Sequence, residues 1–121
     1  MNQLHVIHKP SASIAAYLLA EHGVRCVFCS SGSRCAPLNV AMLHTEGLRV
    51  ESVVDERSAA FMALGYADIS RQPVALVCTS GTALLNYLPA IAEAHYRKLP
   101  LIVLSADRPR AWIDQDDSQT L

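Results

Sequence analysis

The stretch "VVDERSAAFMALGYADISRQPVALVCT", Val53 to Thr79, joins two apolar runs through one long segment of small residues. The first run stops at Asp55 and Glu56, and a helix pattern begins at once, with Ala59, Ala60, Ala63 and Ala67 at helical spacing. The second run, "PVALVCT", is continuously apolar instead of alternating, as a strand covered on both faces is. A strand, a helix and a second strand of this kind form a right-handed crossover between parallel strands.

Reading outward repeats the unit. "SASIAAYLLAEHG" is a helix, with Ser11 or Ser13 as its cap and Gly23 as its stop. "VRCVFCS" is a strand, "SGSRCAP" a Gly/Ser loop, "LNVAMLHTEG" a helix ending at Gly47, and "LRVESVV" a strand. After Thr79 come the loop "SGT" and one helix, "ALLNYLPAIAEAHYRK", kinked at Pro89. The continuously apolar strand "PLIVLSA" and the polar "DRPRAWIDQDDSQTL" follow. The alternation predicts an α/β domain: an open doubly wound, mostly parallel sheet with helices on both faces.

Composition narrows the function classes. A chain of 121 residues supports one modest core, and 51% hydrophobic with only 6% aromatic residues makes that core aliphatic and alanine-rich. With 10 basic residues against 11 acidic ones, no polyanion-binding surface is implied, so no nucleic-acid partner is expected. No apolar run is long enough to span a membrane, and "MNQLHVIHKPSAS" lacks the basic start and apolar middle of a signal peptide; a cytoplasmic location is expected. Cys26, Cys29, Cys35 and Cys78 fit that compartment as reduced thiols. The "CVFC" spacing invites a metal or redox reading, but on a strand residues three apart face opposite ways, and no second pair follows. No metal site is expected in this chain.

In an open parallel sheet, ligands bind beyond the carboxyl ends of the strands. That rule selects "SSGSR" (30–34), "DER" (55–57), "TSGT" (79–82) and "ADRPR" (106–110). The first is either an ordinary turn, with Gly32 at positive φ and Ser33 capping, or a loop whose amides and Arg34 hold an anion. It is neither a P-loop nor a G-x-G-x-x-G fingerprint, so nucleotide binding of either common type is disfavoured. Asp55 and Glu56 pose a similar choice. Both suit a helix start. Glu56, at the root of a small-residue helix that packs closely, would also be partly buried and able to share a proton.

Taken together, Glu56 followed by "ALGYA", then "CTSGTALLN" and "PLIVLSADRP", resemble the pyrimidine-binding domain of thiamine diphosphate enzymes, the acetolactate-synthase type included. "GSR" before "APL", "DERSAAFMALG", "LSADRP" and the late "QT" resemble the branch that serves menaquinone biosynthesis, over roughly Ser11 to Leu121. Ser31 and Ser118 stand where that branch usually has Pro and Asn. The resemblance implies that 1–121 is an N-terminal pyrimidine-binding domain, an incomplete fragment of a longer multidomain transferase that is inactive by itself. Thiamine diphosphate is the implied cofactor, with Mg²⁺ held by a domain outside this chain. Glu56 is the implied catalytic residue, hydrogen-bonding the aminopyrimidine N1′ and favouring its imino tautomer. Gly32, Thr79, Ser80, Gly81 and Asn86 fall where the cofactor contacts lie. The implied substrates are 2-oxoglutarate and isochorismate, the latter held by Ser33, Arg34, Arg108 and Gln119, in a homodimer or homotetramer. Asp55 is read as a cap. Two other readings of the same fold are a stand-alone small-anion-binding module without catalysis and a dimerisation piece.

Overall fold

The computed structural model describes residues 9–112. Four strands, β1 (Cys26–Cys29), β2 (Arg49–Ser52), β3 (Val74–Cys78) and β4 (Leu101–Ser105), form one sheet in the order β2-β1-β3-β4. Every pairing among them is parallel: Val27 lies opposite both Val50 and Ala75, and Leu76 opposite Val103. The chain lays β2 on one side of β1 and then returns to lay β3 on the other. The strand order therefore reverses between β1 and β3, where a crevice opens at the carboxyl edge of such sheets.

Helices cover both faces, as the alternation predicts. On one face Phe28, Leu76 and Cys78 pack against Ala59, Ala60, Ala63 and Ala67 of α3 (Glu56–Ser70) and against Tyr87 and Ala90. On the other, Val27, Cys29, Ala75 and Val77 meet Ala12 and Ala16 of α1 (Pro10–Glu21) and Ala41 and Met42 of α2 (Ala36–Leu43). Successive strand residues alternate between the two layers, which is why β1 and β3 read as unbroken apolar runs. "PLIVLSA" reads the same way, yet β4 is only half-buried along Leu101–Leu104. It is an outer strand, with β3 beside it on one side.

Helix ends show where local chemistry decides. α1 starts at Pro10 with Lys9 before it and no side-chain cap, so neither Ser11 nor Ser13 is the cap. A proline in the first turn has its φ preset and brings one fewer unsatisfied N–H. Gly23 (φ +88°) follows α1 in the left-handed region, as its stop. The second helix does not run to Gly47 as expected: α2 ends at Leu43 with His44 as its C-cap, and Gly47 (φ +86°) belongs to the turn that leads into β2. The single helix expected after Thr79 is two: α4 (Thr82–Leu85) and α5 (Leu88–Arg97). Pro89 has no N–H to offer the Leu85 carbonyl, so the ladder lapses at Asn86 and Tyr87.

Candidate active site

The loops after the four strands lie along one edge because the strands are parallel. Ladder bonds carry each chain past its strand end and fix the loops relative to one another. Ser30 N donates to Val77 O at 2.9 Å, Val53 N to Cys29 O at 3.0 Å, and Ala106 N to Cys78 O at 3.0 Å.

The two neighbouring carboxylates separate cleanly. Asp55 is the N-cap of α3, and its Oδ1 accepts from Ser58 N at 2.7 Å. Those Ser58 hydrogen bonds favour the ionised form and hold its carboxyl below the usual carboxylate value. Glu56, the first helical residue, is half-buried, and its side chain makes no hydrogen bond or ion pair among the described residues. It stands near the β1–β3 seam. Burial pushes the Cys78 thiol up to about 11, with Cys35 and the Glu56 charge adding to the effect. Burial raises Cys35 too, again with Glu56 contributing. One carboxylate is consumed by capping; the other is left available.

Two loops meet at the seam. A Cβ placed on Gly32 would lie 2.5 Å from Thr79 Cβ, so only glycine permits this approach. The expectation for Gly32 changes accordingly: it is not in the positive-φ region, and close packing is what demands it. Ser33 does not cap α2; Cys35 takes the N-cap position without a side-chain bond there. The Cys35 thiol instead donates back into its own loop, to Gly32 O at 3.2 Å and Ser30 O at 3.5 Å, and accepts from Asn39 Nδ2 at 3.6 Å. Gly81 does adopt positive φ (74°), as the N-cap of α4.

Polar atoms accumulate here without partners. Ser30 Oγ, Thr79 Oγ1 and Ser80 Oγ are buried and unbonded among the described residues. Such groups cost free energy unless something satisfies them. Ser80 also lines a pocket of about 50 Å³ with Gly81, Leu84, Ser105, Ala106 and Asp107. That volume suits a few waters, so these residues form one wall of a site and do not enclose one.

The other expected residues are less concentrated. Arg34 and Arg108 are half-buried beyond β1 and β4, strands that β3 separates. Asp107 Oδ1 accepts from Arg108 N at 2.7 Å and shapes that turn. Ser33 is exposed. Asn86 is exposed too, and its Nδ2 donates to Thr82 O at 3.0 Å, at the end of its own short helix. Gln119 lies outside the described residues. The structure adds Tyr87, fully buried, whose hydroxyl donates to Val77 O at 3.0 Å. Its one sequence signal is an aromatic residue beside a helix-breaking Leu-Pro.

Residues 11–121 match the family model for the thiamine pyrophosphate enzyme N-terminal TPP binding domain. The chain belongs to that family. Within it, the chain is 57% identical over 104 residues to a 2-succinyl-5-enolpyruvyl-6-hydroxy-3-cyclohexene-1-carboxylate synthase of Cytophaga hutchinsonii, covering 86% of this chain and 19% of that protein. It is 54% identical over 113 residues to the protein of the same name from Desulfotalea psychrophila, covering 93% and 21%. The chain thus spans about a fifth of the length of these relatives. Among solved structures, a thiamine diphosphate-dependent 4-hydroxybenzoylformate decarboxylase from Rhodococcus jostii RHA1 superposes with a TM-score of 0.79 at 24% identity, over 90% of this chain and 20% of that one. That likeness establishes the shared fold of this TPP binding domain. Among the described residues no helix is long and apolar enough to cross a membrane.

Proposed function

We propose that this TPP binding domain is the N-terminal, pyrimidine-binding part of a longer cytoplasmic homo-oligomeric transferase. The reaction is decarboxylation of 2-oxoglutarate and addition of the remaining four-carbon unit to isochorismate, as in menaquinone biosynthesis. The observation that carries this is the pairing of an uncommitted, half-buried Glu56 with the unpartnered hydroxyls of Thr79 and Ser80 at the strand-order reversal. The identity to two synthases of that name supports the choice of reaction.

The residues fit the aminopyrimidine of thiamine diphosphate. Its ring nitrogens and amino group are the hydrogen-bonding partners that buried hydroxyls need. When bound, the cofactor supplies the acidic carbon at which 2-oxo acids lose CO₂. Glu56 holds a proton at N1′ of the ring. Thr79 and Ser80 orient the ring edge, and Gly32 and Gly81 keep the nearby backbone close. Asn86 lies at the end of α4, one step further from the seam. Arg34 and Arg108, each beyond a strand end, supply guanidinium groups of the kind that bind the two carboxylates of isochorismate, with Ser33 and Gln119 assisting. Mg²⁺ and the diphosphate belong to another domain of the complete enzyme.

The test uses the complete protein with thiamine diphosphate, Mg²⁺, 2-oxoglutarate and isochorismate. CO₂ release together with a new carbon–carbon-bonded product is the expected result. Absence of both removes the assignment. Arg34→Ala should raise the KM for isochorismate and spare 2-oxoglutarate decarboxylation; equal damage to both half-reactions would make Arg34 structural.

A further inference from the structure

Val77 O accepts two hydrogen bonds, from Ser30 N at 2.9 Å and from the Tyr87 hydroxyl at 3.0 Å. One carbonyl therefore ties together the end of β3, the start of the loop after β1, and the break between α4 and α5. The tie lies two residues before Thr79 and one residue after Asn86. Tyr87 is fully buried among Phe28, Ala60, Ala83 and Ala90, a setting that a phenyl ring would fill equally well. Packing explains the ring and not the hydroxyl, whose burial carries a desolvation cost that the bond to Val77 O offsets, with the Ser30 and Cys78 side chains also near the hydroxyl. Burial also holds the phenol well above the usual tyrosine range, so it remains a donor throughout the working pH range.

The seam has no slack. Gly32 and Thr79 are so close that even a methyl group would collide, so a small slide of either loop closes or opens the contact. The Cys35 thiol also braces the loop, donating to Gly32 O at 3.2 Å. We propose that Tyr87 is a positioning residue: its hydroxyl, through Val77 O, sets the Ser30–Arg34 loop against Thr79 and Ser80. The inference rests on the functional reading above for its catalytic consequence, because that loop carries Ser33 and Arg34.

Tyr87→Phe in the complete protein removes the hydroxyl and keeps the ring. In the cofactor-free protein, amide hydrogen exchange should quicken about two- to tenfold in peptides covering 30–35 and 79–81, the range that one neutral hydrogen bond supports. Peptides from α1 should be unchanged. In the loaded enzyme the KM for isochorismate should rise by a similar factor, with kcat within about twofold. Unchanged exchange at 30–35, or equal acceleration in α1, would overturn the proposal, as would an unaltered KM beside quickened exchange. If the complete protein performs no carboligation, the assigned reaction fails while the exchange measurement still decides the role of Tyr87.

Discussion

The two ends of the sheet are built on opposite terms. At the amino end, polar groups satisfy one another. Arg49 pairs with Glu51 at 3.0 Å and lies 5.7 Å from the centre of the Tyr66 ring. Asp68, near the end of α3, is shared by Arg97 of α5 and Arg71, and Arg97 also reaches Glu93. At the carboxyl end, Ser30, Thr79 and Ser80 keep buried hydroxyls without partners, and Glu56 is unpaired among the described residues. Both ends have the same strands and the same helices. A fold can close its polar ledger at either end; leaving one open marks where a ligand completes it.

The sharpest way to break this comparison is Glu56→Gln in the complete enzyme. Carboligation should fall by several orders of magnitude, beyond about 4 kcal/mol of transition-state stabilisation, with the unfolding temperature nearly unchanged. A loss below about tenfold would reduce Glu56 to a first-turn helix residue.

Gly32→Ala comes next. The added methyl meets Thr79 Cβ at 2.5 Å, so one loop must shift, with a destabilisation of about 1–3 kcal/mol in thermal unfolding of the complete protein. Unchanged stability would show that the seam is looser than its geometry.

The amino end should respond weakly and without loss of function. Asp68→Ala removes a carboxylate whose partners are substantially exposed, so the cost should stay below about 1 kcal/mol, with carboligation rates intact. A large loss of activity there would erase the distinction between the two ends.

The smallest effect belongs to Asp55, whose carboxyl sits below its ordinary value of 3.8 because Ser58 hydrogen-bonds its charged form. A depressed folded-state value contributes stability above the unfolded value and loses it as pH falls through the folded one. Asn caps about as well, so Asp55→Asn isolates the charge. The variant should unfold slightly earlier at pH 7, and the gap should close as pH drops below 3.8. A gap that persists in acid would mean something other than ionisation stabilises this cap.

Legibility in the sequence followed the range of the forces involved. The α3 start was readable because the Asp55 cap and the alanine face that follows are local patterns. The parallel sheet and its two-sided cover were readable from apolar runs separated by helical periods. The same reasoning overextended β4, since an apolar run records what a strand needs and not how much of its neighbourhood a given stretch of chain supplies. It also fused α4 with α5, where one missing N–H at Pro89 outweighs the surrounding helical pattern. The demand for glycine at position 32 is not local: its reason lies 47 positions along the chain, at Thr79. Tyr87 depends wholly on tertiary contact: nothing within "LNYLP" says which carbonyl its hydroxyl finds.

The outer strands carry one last consequence. β2 guards its margin with Arg49 and Glu51, charges that resist docking by a stray strand. β4 offers Leu101, Ile102, Val103 and Leu104 with no charge among them, and among the described residues no strand lies along its far side. A margin of that composition is a template. When this chain is handled by itself, edge-to-edge aggregation should begin at β4.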